Sequence, residues 1–152
     1  MKTTTRKKTA APKSAATSEL LAVTLPALGT FWPEHNGTFV GIRKLGDNDA
    51  AVIVPNEPES DIAPAPWKDA IAKAGAFKTR QHQDFVAADR VDLYLAYTHA
   101  PQLFKKEWYW SATPCAGNES YAWFQSFYHG SQFSYHKGYV YRARAVRRVI
   151  LR

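Results

Sequence analysis

The sequence predicts a single domain of the α+β class, because two short helical patterns interrupt a chain whose other apolar runs are typical of strands. Its 152 residues are 45% hydrophobic and 14% aromatic, which is enough to bury one core of ordinary size. The apolar pattern begins near Leu20, so we expect this domain to occupy residues 19–152.

Residues 1–18 have the composition of a separate tail. They are rich in Thr, Ala, Lys and Ser and contain no aromatic residue, so burial cannot offset the entropy of ordering them. We expect this tail to be disordered, or ordered only by a bound partner. Its five basic residues are Lys2, Arg6, Lys7, Lys8 and Lys13, with no acidic residue among them. Such a tail could hold nucleic acid or another acidic surface, and a solubilising role is an equal alternative.

The first half of the domain is predicted to begin with strands. Residues 22–25 suggest a short strand, and residues 33–37 a turn, since Asn-Gly is a strong turn signal. Residues 38–43 and 50–54 are β-branched or apolar and are separated by Gly and Asx residues, which favour a chain reversal. We therefore expect these two runs to form a β-hairpin.

A connector and two helices are expected next. Residues 55–66 combine four prolines with acidic residues, which is typical of an exposed connector. Pro66 then opens a predicted helix that ends at Gly75, with its apolar residues on one face. A second helix is expected over residues 89–97, where Asp89 can cap the first turn.

From residue 108 onward the pattern returns to strands and loops. Residues 108–111 are aromatic, and residues 114–120 are prone to turns. Two further strands are expected over residues 121–127 and 139–149, with a polar and aromatic segment over residues 133–138 between them.

The charge pattern changes at Glu119, which is the last acidic residue of the chain. The net charge is +7, and residues 120–152 contribute six basic residues to it. The same segment is rich in Tyr, Ser, Gly and His, which suit a contact surface because they combine rigid aromatic area with adaptable hydrogen bonds. Since the segment lacks a carboxylate for acid/base chemistry, it favours binding over catalysis.

Other features argue against an enzyme or a metal protein. Cys115 and the serines lie in no recognisable nucleophile motif, and the sequence has no Gly-rich phosphate loop. His129 and His136 are seven residues apart without a CxxC or HxxxH pattern, so we expect neither a metal site nor a cofactor. The lone Cys115 cannot form an internal disulfide, which favours synthesis in the cytoplasm. No apolar run approaches the roughly 18 residues of a membrane span.

Two sets of residues in the C-terminal half have alternative roles. Trp108, Trp110 and Trp123 could be stacking platforms for sugars or bases, but for Trp110 and Trp123 we favour burial in the core, because both lie in strand motifs. The arginines between residues 142 and 148 could bind phosphates or carboxylates. We favour instead their pairing with acidic residues of the domain, the candidates being Asp84, Asp89 and Asp92.

Three motifs carry a resemblance to a known family. They are YWSAT at residues 109–113, AWF at residues 122–124 and RARAVRR at residues 142–148. Together they resemble phage- and prophage-encoded domains of unknown function that are related to the C-terminal domain of bacterial collagen-like adhesins. Residues 84–104 resemble the helix region of that family, with Ala88 in place of its preferred Pro and Asp92 in place of its preferred Glu.

The resemblance implies a fold and a binding surface. Such domains are similar to the C-type lectin fold, with two short helices and a mostly antiparallel twisted sheet, which the formylglycine-generating enzyme group and retroelement-diversified variable proteins share. The formylglycine-generating relatives depend on a pair of cysteines, and this chain has one. In the variable proteins, scattered positions of the closing segment form a solvent-facing binding surface. The matching positions here are Tyr128, His129, Ser131, Phe133, Ser134, Tyr135, His136, Tyr139 and Tyr141.

These observations predict a non-enzymatic phage or prophage protein that binds another macromolecule. In the leading interpretation it is made in the bacterial cytoplasm and becomes a virion-associated recognition or decoration component. In the alternative it is an intracellular inhibitor of a host defence system, similar in role to anti-CRISPR proteins. The expected partner is a virion protein, a host surface component or a host defence complex, and nucleic acid could bind through the tail.

Overall fold

The computed structural model describes residues 25–152, whose strands join in one mixed nine-stranded sheet. The strands are β1 (Phe31–Trp32), β2 (Gly37–Leu45), β3 (Asn48–Pro55), β4 (Asp61–Ala65), β5 (Val86–Ala87), β6 (Trp108–Pro114), β7 (Tyr121–Ser126), β8 (Gln132–His136) and β9 (Tyr141–Leu151). The helices are α1 (Trp67–Ala76) and α2 (Arg90–His99), with short 3-10 turns at Pro33–His35, Pro58–Ser60 and Pro101–Leu103. The tail residues Lys2, Arg6, Lys7, Lys8 and Lys13, the boundary at residues 18–19 and most of the strand expected at residues 22–25 lie outside the described residues.

The closing strand β9 organises the sheet. The order of strands is β1-β2-β3-β9-β6-β7-β8, and β4 and β5 also pair with β9. The C-terminal half of β9 pairs with β3, and its N-terminal half pairs with β4, β5 and β6. The pairing with β6, which brings Tyr109 beside Arg142, is parallel, whereas the other pairings are antiparallel.

This topology corrects the predicted fold class. The expected α+β, C-type-lectin-like domain is wrong, because the described residues form a domain dominated by a single mixed sheet in which four strands share β9. Two short helices and a predominance of antiparallel pairing were expected and are found. The sequence pattern identifies strands from local alternation, whereas pairing partners depend on contacts between distant segments.

The predicted hairpin is confirmed as β2 and β3, which pair from Leu45 and Asn48 outward. Gly46 has a φ of 60°, in the left-handed region that a tight reversal requires and that glycine adopts without strain. The predicted Asn-Gly turn is a 3-10 turn that ends at Asn36, whose φ is 47°. Asn tolerates this region better than most residues do.

The expected connector over residues 55–66 is wrong in part, because it contains β4. This strand pairs with β9, and the pairing shifts register between Ile62 and Ala65. Pro64 lies within the shifted stretch and is exposed, in a place where a missing N–H removes no ladder hydrogen bond. An edge strand tolerates proline in this way. Strand β4 was not predicted because its proline-rich sequence is typical of a loop.

Both predicted helices are present. Helix α1 follows Pro66 and runs one residue past Gly75, where an added Cβ would meet open space. Helix α2 begins at the predicted cap, since Asp89 Oδ1 accepts hydrogen bonds from the backbone N–H groups of Val91 and Asp92, both at 3.0 Å. The Asp92 carboxylate in turn accepts from the Asp89 N–H at 3.1 Å, which completes a capping box.

The two helices cover separate parts of the core. Helix α2 buries Leu93 and Ala96 against a cluster that includes Tyr109, Phe127 and Val146. Helix α1 packs on a second cluster, which contains the fully buried Trp110. Within residues 25–152, neither helix has the length and apolar character needed to cross a membrane.

Candidate functional site

Exposed aromatic side chains gather around β8 at one edge of the sheet. We call this set, together with the exposed Val140, the aromatic surface. Its members are between 39% and 56% exposed: Trp108, Tyr128, Phe133, Tyr135, Tyr139 and Val140. Strand β8 places Phe133 opposite Phe124 and Tyr135 opposite Ala122. Because side chains alternate along a strand, Phe133 and Tyr135 lie on one face of the sheet.

A buried ring supports the aromatic surface from below. Phe124 is 7% exposed, and its ring centroid lies 6.0 Å from that of Phe133, 5.7 Å from that of Trp108 and 5.1 Å from that of Tyr141. Trp108 and Tyr141 also meet edge to face at 5.3 Å. Rings that already pack against one another lose little rotamer freedom when a partner binds, so this arrangement is preorganised.

Tyr135 and Tyr139 form a second packed pair on the same surface. Their ring centroids are 4.4 Å apart. A hydrogen bond with Tyr139 raises the pKa of Tyr135, and burial raises the pKa of Tyr141 nearby. The hydroxyls of Tyr135 and Tyr141 therefore stay neutral at physiological pH, where each can donate and accept a hydrogen bond.

A groove of about 340 Å³ adjoins the aromatic surface. Its walls are mainly apolar and include Trp108, Tyr128 and Val140. At its polar side, Arg142 Nε donates to Glu107 Oε1 at 2.9 Å. The groove therefore joins aromatic area to a charged pair, which is the mixture that protein interfaces use for affinity and orientation.

The sequence-predicted site residues are only partly brought together. The exposed members are Tyr128, His129, Phe133, Tyr135, His136 and Tyr139, whereas Ser131, Ser134 and Tyr141 are partly buried. Ser134 alternates to the opposite face from Phe133 and Tyr135. His136 shapes the turn before β9, because its Nδ1 accepts a hydrogen bond from the Gly138 N–H at 3.0 Å.

Some residues of the surface and groove were absent from the predicted binding surface, although Trp108 was considered as a stacking platform. Trp108 begins β6, Glu107 directly precedes it, and Val140 lies in the turn before β9. The Lys-Lys-Glu run before Trp108 was a usable signal, since charges beside an aromatic residue at a strand end favour its exposure.

The opposite face of β8 is occupied by polar contacts with α2. Gln132 Nε2 donates to the Arg90 carbonyl at 2.8 Å and to Gln125 Oε1 at 2.9 Å. The Arg90 guanidinium lies over the Trp123 ring, 3.7 Å from its centroid. The expected burial holds fully for Trp110 and only in part for Trp123. These contacts fix β8 against the domain.

Most arginines of β9 pair with carboxylates, as predicted. Arg147 Nε donates to Asp84 Oδ1 at 2.7 Å, and Arg148 Nη2 donates to Asp92 Oδ2 at 2.6 Å. Arg142 binds Glu107 and Asp61, which the prediction did not include. The interpretation of these side chains as structural is confirmed for Arg147 and Arg148 with the expected partners.

Four of these charged residues form one unit, which we call the arginine–aspartate cluster: Arg43, Asp89, Asp92 and Arg148. It ties β2 and β9 to the first turn of α2. Burial acts to raise the pKa of Asp89, but hydrogen bonds from Arg43 and from the Asp92 backbone, together with the charge of Arg148, lower it on balance. Asp89 is therefore charged at neutral pH, and its ion pairs with Arg43 and Arg148 hold the helix start in place.

Among residues 25–152, no group of three or more His, Cys, Asp or Glu side chains is arranged to hold a metal ion. Cys115 is only partly buried, and its Sγ lies 3.8 Å from the Ala116 carbonyl oxygen. The chain matches no protein-family model, and a search of the curated proteins finds no significant match. The resemblance to phage-encoded domains stays a prediction.

Proposed function

We propose that this chain is a non-enzymatic phage or prophage protein that binds another macromolecule through the aromatic surface, as a virion-associated recognition or decoration component. The observation that carries the proposal is the exposure of Tyr128, Phe133 and Tyr139, each more than half exposed, on edge strand β8 and the turns that flank it. Exposed apolar patches of this kind mark interaction sites in soluble proteins.

The composition of the surface supports a macromolecular partner. Tyr and Trp are enriched at the energetic centres of protein interfaces, where each offers a large rigid area and a polar group. The rings supported by Phe124 are ordered before binding. A partner that covers them gains apolar burial without the cost of ordering long flexible side chains.

The test compares a triple replacement on the aromatic surface with a single tyrosine replacement outside it. The site variant carries Phe133→Ala, Tyr135→Ala and Tyr139→Ala, and the control carries Tyr94→Ala, because Tyr94 is 57% exposed on α2, away from the surface. Phage particles are purified from the bacterial strain that carries the gene, and the protein bound per particle is measured by quantitative mass spectrometry. Circular dichroism checks that each variant is folded.

We expect the wild type and the Tyr94→Ala variant to purify with particles and the site variant to be lost. Removing one interfacial hot spot costs about 2 kcal/mol or more, which is roughly a 30-fold loss of affinity. Normal particle association by a folded site variant would mean that the binding surface lies elsewhere. Absence of the wild-type protein from particles would overturn the virion role and leave the intracellular inhibitor.

A further inference from the structure

A second pocket, of about 340 Å³, shares Arg142 with the aromatic groove but is otherwise lined by different residues. The 3-10 turns at Pro58–Ser60 and Pro101–Leu103 frame it, and three cationic side chains reach it: Lys105, Arg142 and Arg144. We call it the basic pocket. It involves none of the residues of the aromatic surface.

Arg144 is the unusual member of the basic pocket. It is 5% exposed, and its hydrogen-bond partners are all neutral: Ser60 Oγ at 3.0 Å, the Leu103 carbonyl at 2.7 Å and the Pro55 carbonyl at 3.4 Å. Within residues 25–152 no carboxylate lies within ion-pair distance of it, although the other three arginines of β9 each have one. A guanidinium has five N–H donors, so part of its donor capacity is left over.

A buried guanidinium without a contacting anion is costly. Burial lowers the pKa of Arg144, which is the direction expected when the charged form is poorly compensated. The ring of Phe104 lies under the guanidinium at 4.6 Å and offsets part of the cost. An anion that entered the basic pocket would offset more of it.

The charges that line the basic pocket favour an anion. Asp61 is the one acidic residue that lines the pocket. Its carboxylate is already hydrogen-bonded within the domain, because it accepts from the Tyr109 hydroxyl at 2.9 Å and from Arg142 Nη1 at 3.4 Å. Lys105 is exposed and lines the pocket, so its ammonium is accessible to a ligand. Because Arg142 is already paired with Asp61 and Glu107, the charges of Lys105 and Arg144 are what leave the pocket positive.

We infer that the basic pocket binds an oxyanion, namely a carboxylate or phosphate group of a ligand. The remaining N–H groups of Arg144 and the Lys105 ammonium donate to its oxygens, and the Gln102 side chain at the rim can supply a further hydrogen bond. Guanidinium groups suit carboxylate and phosphate equally in geometry, so both sources share this chemistry.

The experiment titrates the full chain with inorganic phosphate and, separately, with acetate, using sodium chloride at matched ionic strength as the reference. Amide resonances of residues 102–105 are followed by NMR. The site variant is Lys105→Gln, and the matched control is Lys106→Gln, which removes the same charge from an exposed neighbour that does not line the pocket. Both lysines are exposed, so both variants are expected to fold.

We expect saturable shifts with at least one oxyanion and none with chloride. Lys105→Gln should weaken binding about tenfold, which is the effect of losing one charge-assisted hydrogen bond, and Lys106→Gln should leave it near the wild-type value. The oxyanion that binds more tightly identifies the ligand group. Lack of saturation by either oxyanion would overturn the inference, and so would an equal loss of affinity in the two lysine variants.

Discussion

Replacing Asp92 with asparagine should expose how much stability the arginine–aspartate cluster supplies. Asp92 is fully buried, and its carboxylate accepts from Arg43 Nη1 at 2.9 Å and from Arg148 Nη2 at 2.6 Å. Asparagine has nearly the same shape but no charge, and it turns an N–H₂ donor toward one of the two guanidinium groups. The change therefore removes the interaction while leaving the packing almost unaltered.

The expected loss follows from these contacts. A hydrogen bond to a charged group contributes about 1.5–3 kcal/mol, and Asp92 makes two such attachments to different arginines. Removing one partner of a buried ion pair costs about 3–5 kcal/mol, which agrees with that range. For a chain of this size each kcal/mol lowers the Tm by about 2–4 °C, so a loss of about 3–5 kcal/mol corresponds to about 6–20 °C.

The measurement is urea unfolding of Asp92→Asn, followed by circular dichroism. Its control is Asp49→Asn, because Asp49 also pairs with a cation, Lys44 at 2.9 Å, but both side chains are more than half exposed. The exposed pair should contribute only about 0–1 kcal/mol. The reasoning is refuted if the two variants lose the same free energy of unfolding, since burial of the pair would then add nothing.

Two further predictions concern His35 and a pair of glycines. Burial and the charge of Arg147 lower the pKa of His35 below 6.5, so the unfolded chain takes up the proton first, and the free energy of unfolding should fall as pH drops from 7.5 to 5.5. His35→Gln should flatten this dependence in urea titrations, and an unchanged slope would show that another group causes it. Gly130 and Gly117 share a φ of 83°, but a Cβ at Gly130 would overlap the ring of Tyr97 whereas one at Gly117 would meet open space. Gly117→Ala should therefore lower the free energy of unfolding only by the left-handed strain of about 1–2 kcal/mol, and Gly130→Ala should lower it by about 1–3 kcal/mol more. Thermal melts measure both losses, and equal losses would argue against the overlap with Tyr97.

Local features of this fold could be predicted because their causes lie within a few residues. The hairpin follows from two apolar runs around a glycine-containing turn, and α2 begins at Asp89 because a side-chain oxygen there satisfies free N–H groups of the first turn. Strand β4 was missed for the opposite reason. Its proline-rich sequence indicates a loop, and only the distant strand β9 makes it part of the sheet.

The candidate site shows the same limit. Composition indicated a contact surface after Glu119, and the family resemblance predicted the candidate positions between Tyr128 and Tyr141. Sequence alone could not show that Trp108 joins the surface or that Phe124 supports it, because these contacts cross from β6 and β7. Ring packing between strands depends on register, and register was not available from the pattern.

Strand β9 explains why a run of arginines need not indicate a nucleic-acid site. Its small residues Ala143 and Ala145 alternate onto the face that packs in the cluster beneath α1. The other face carries Arg142, Arg144 and Arg148 and turns toward the side of the sheet covered by α2, where Val146 joins the core. Strand alternation thus sends these three arginines into a region that supplies carboxylates and carbonyl groups, whereas Arg147 lies on the opposite face and pairs with Asp84. Arg144 alone meets no carboxylate among the described residues, and that exception is what makes its pocket a candidate for an anion from outside the chain.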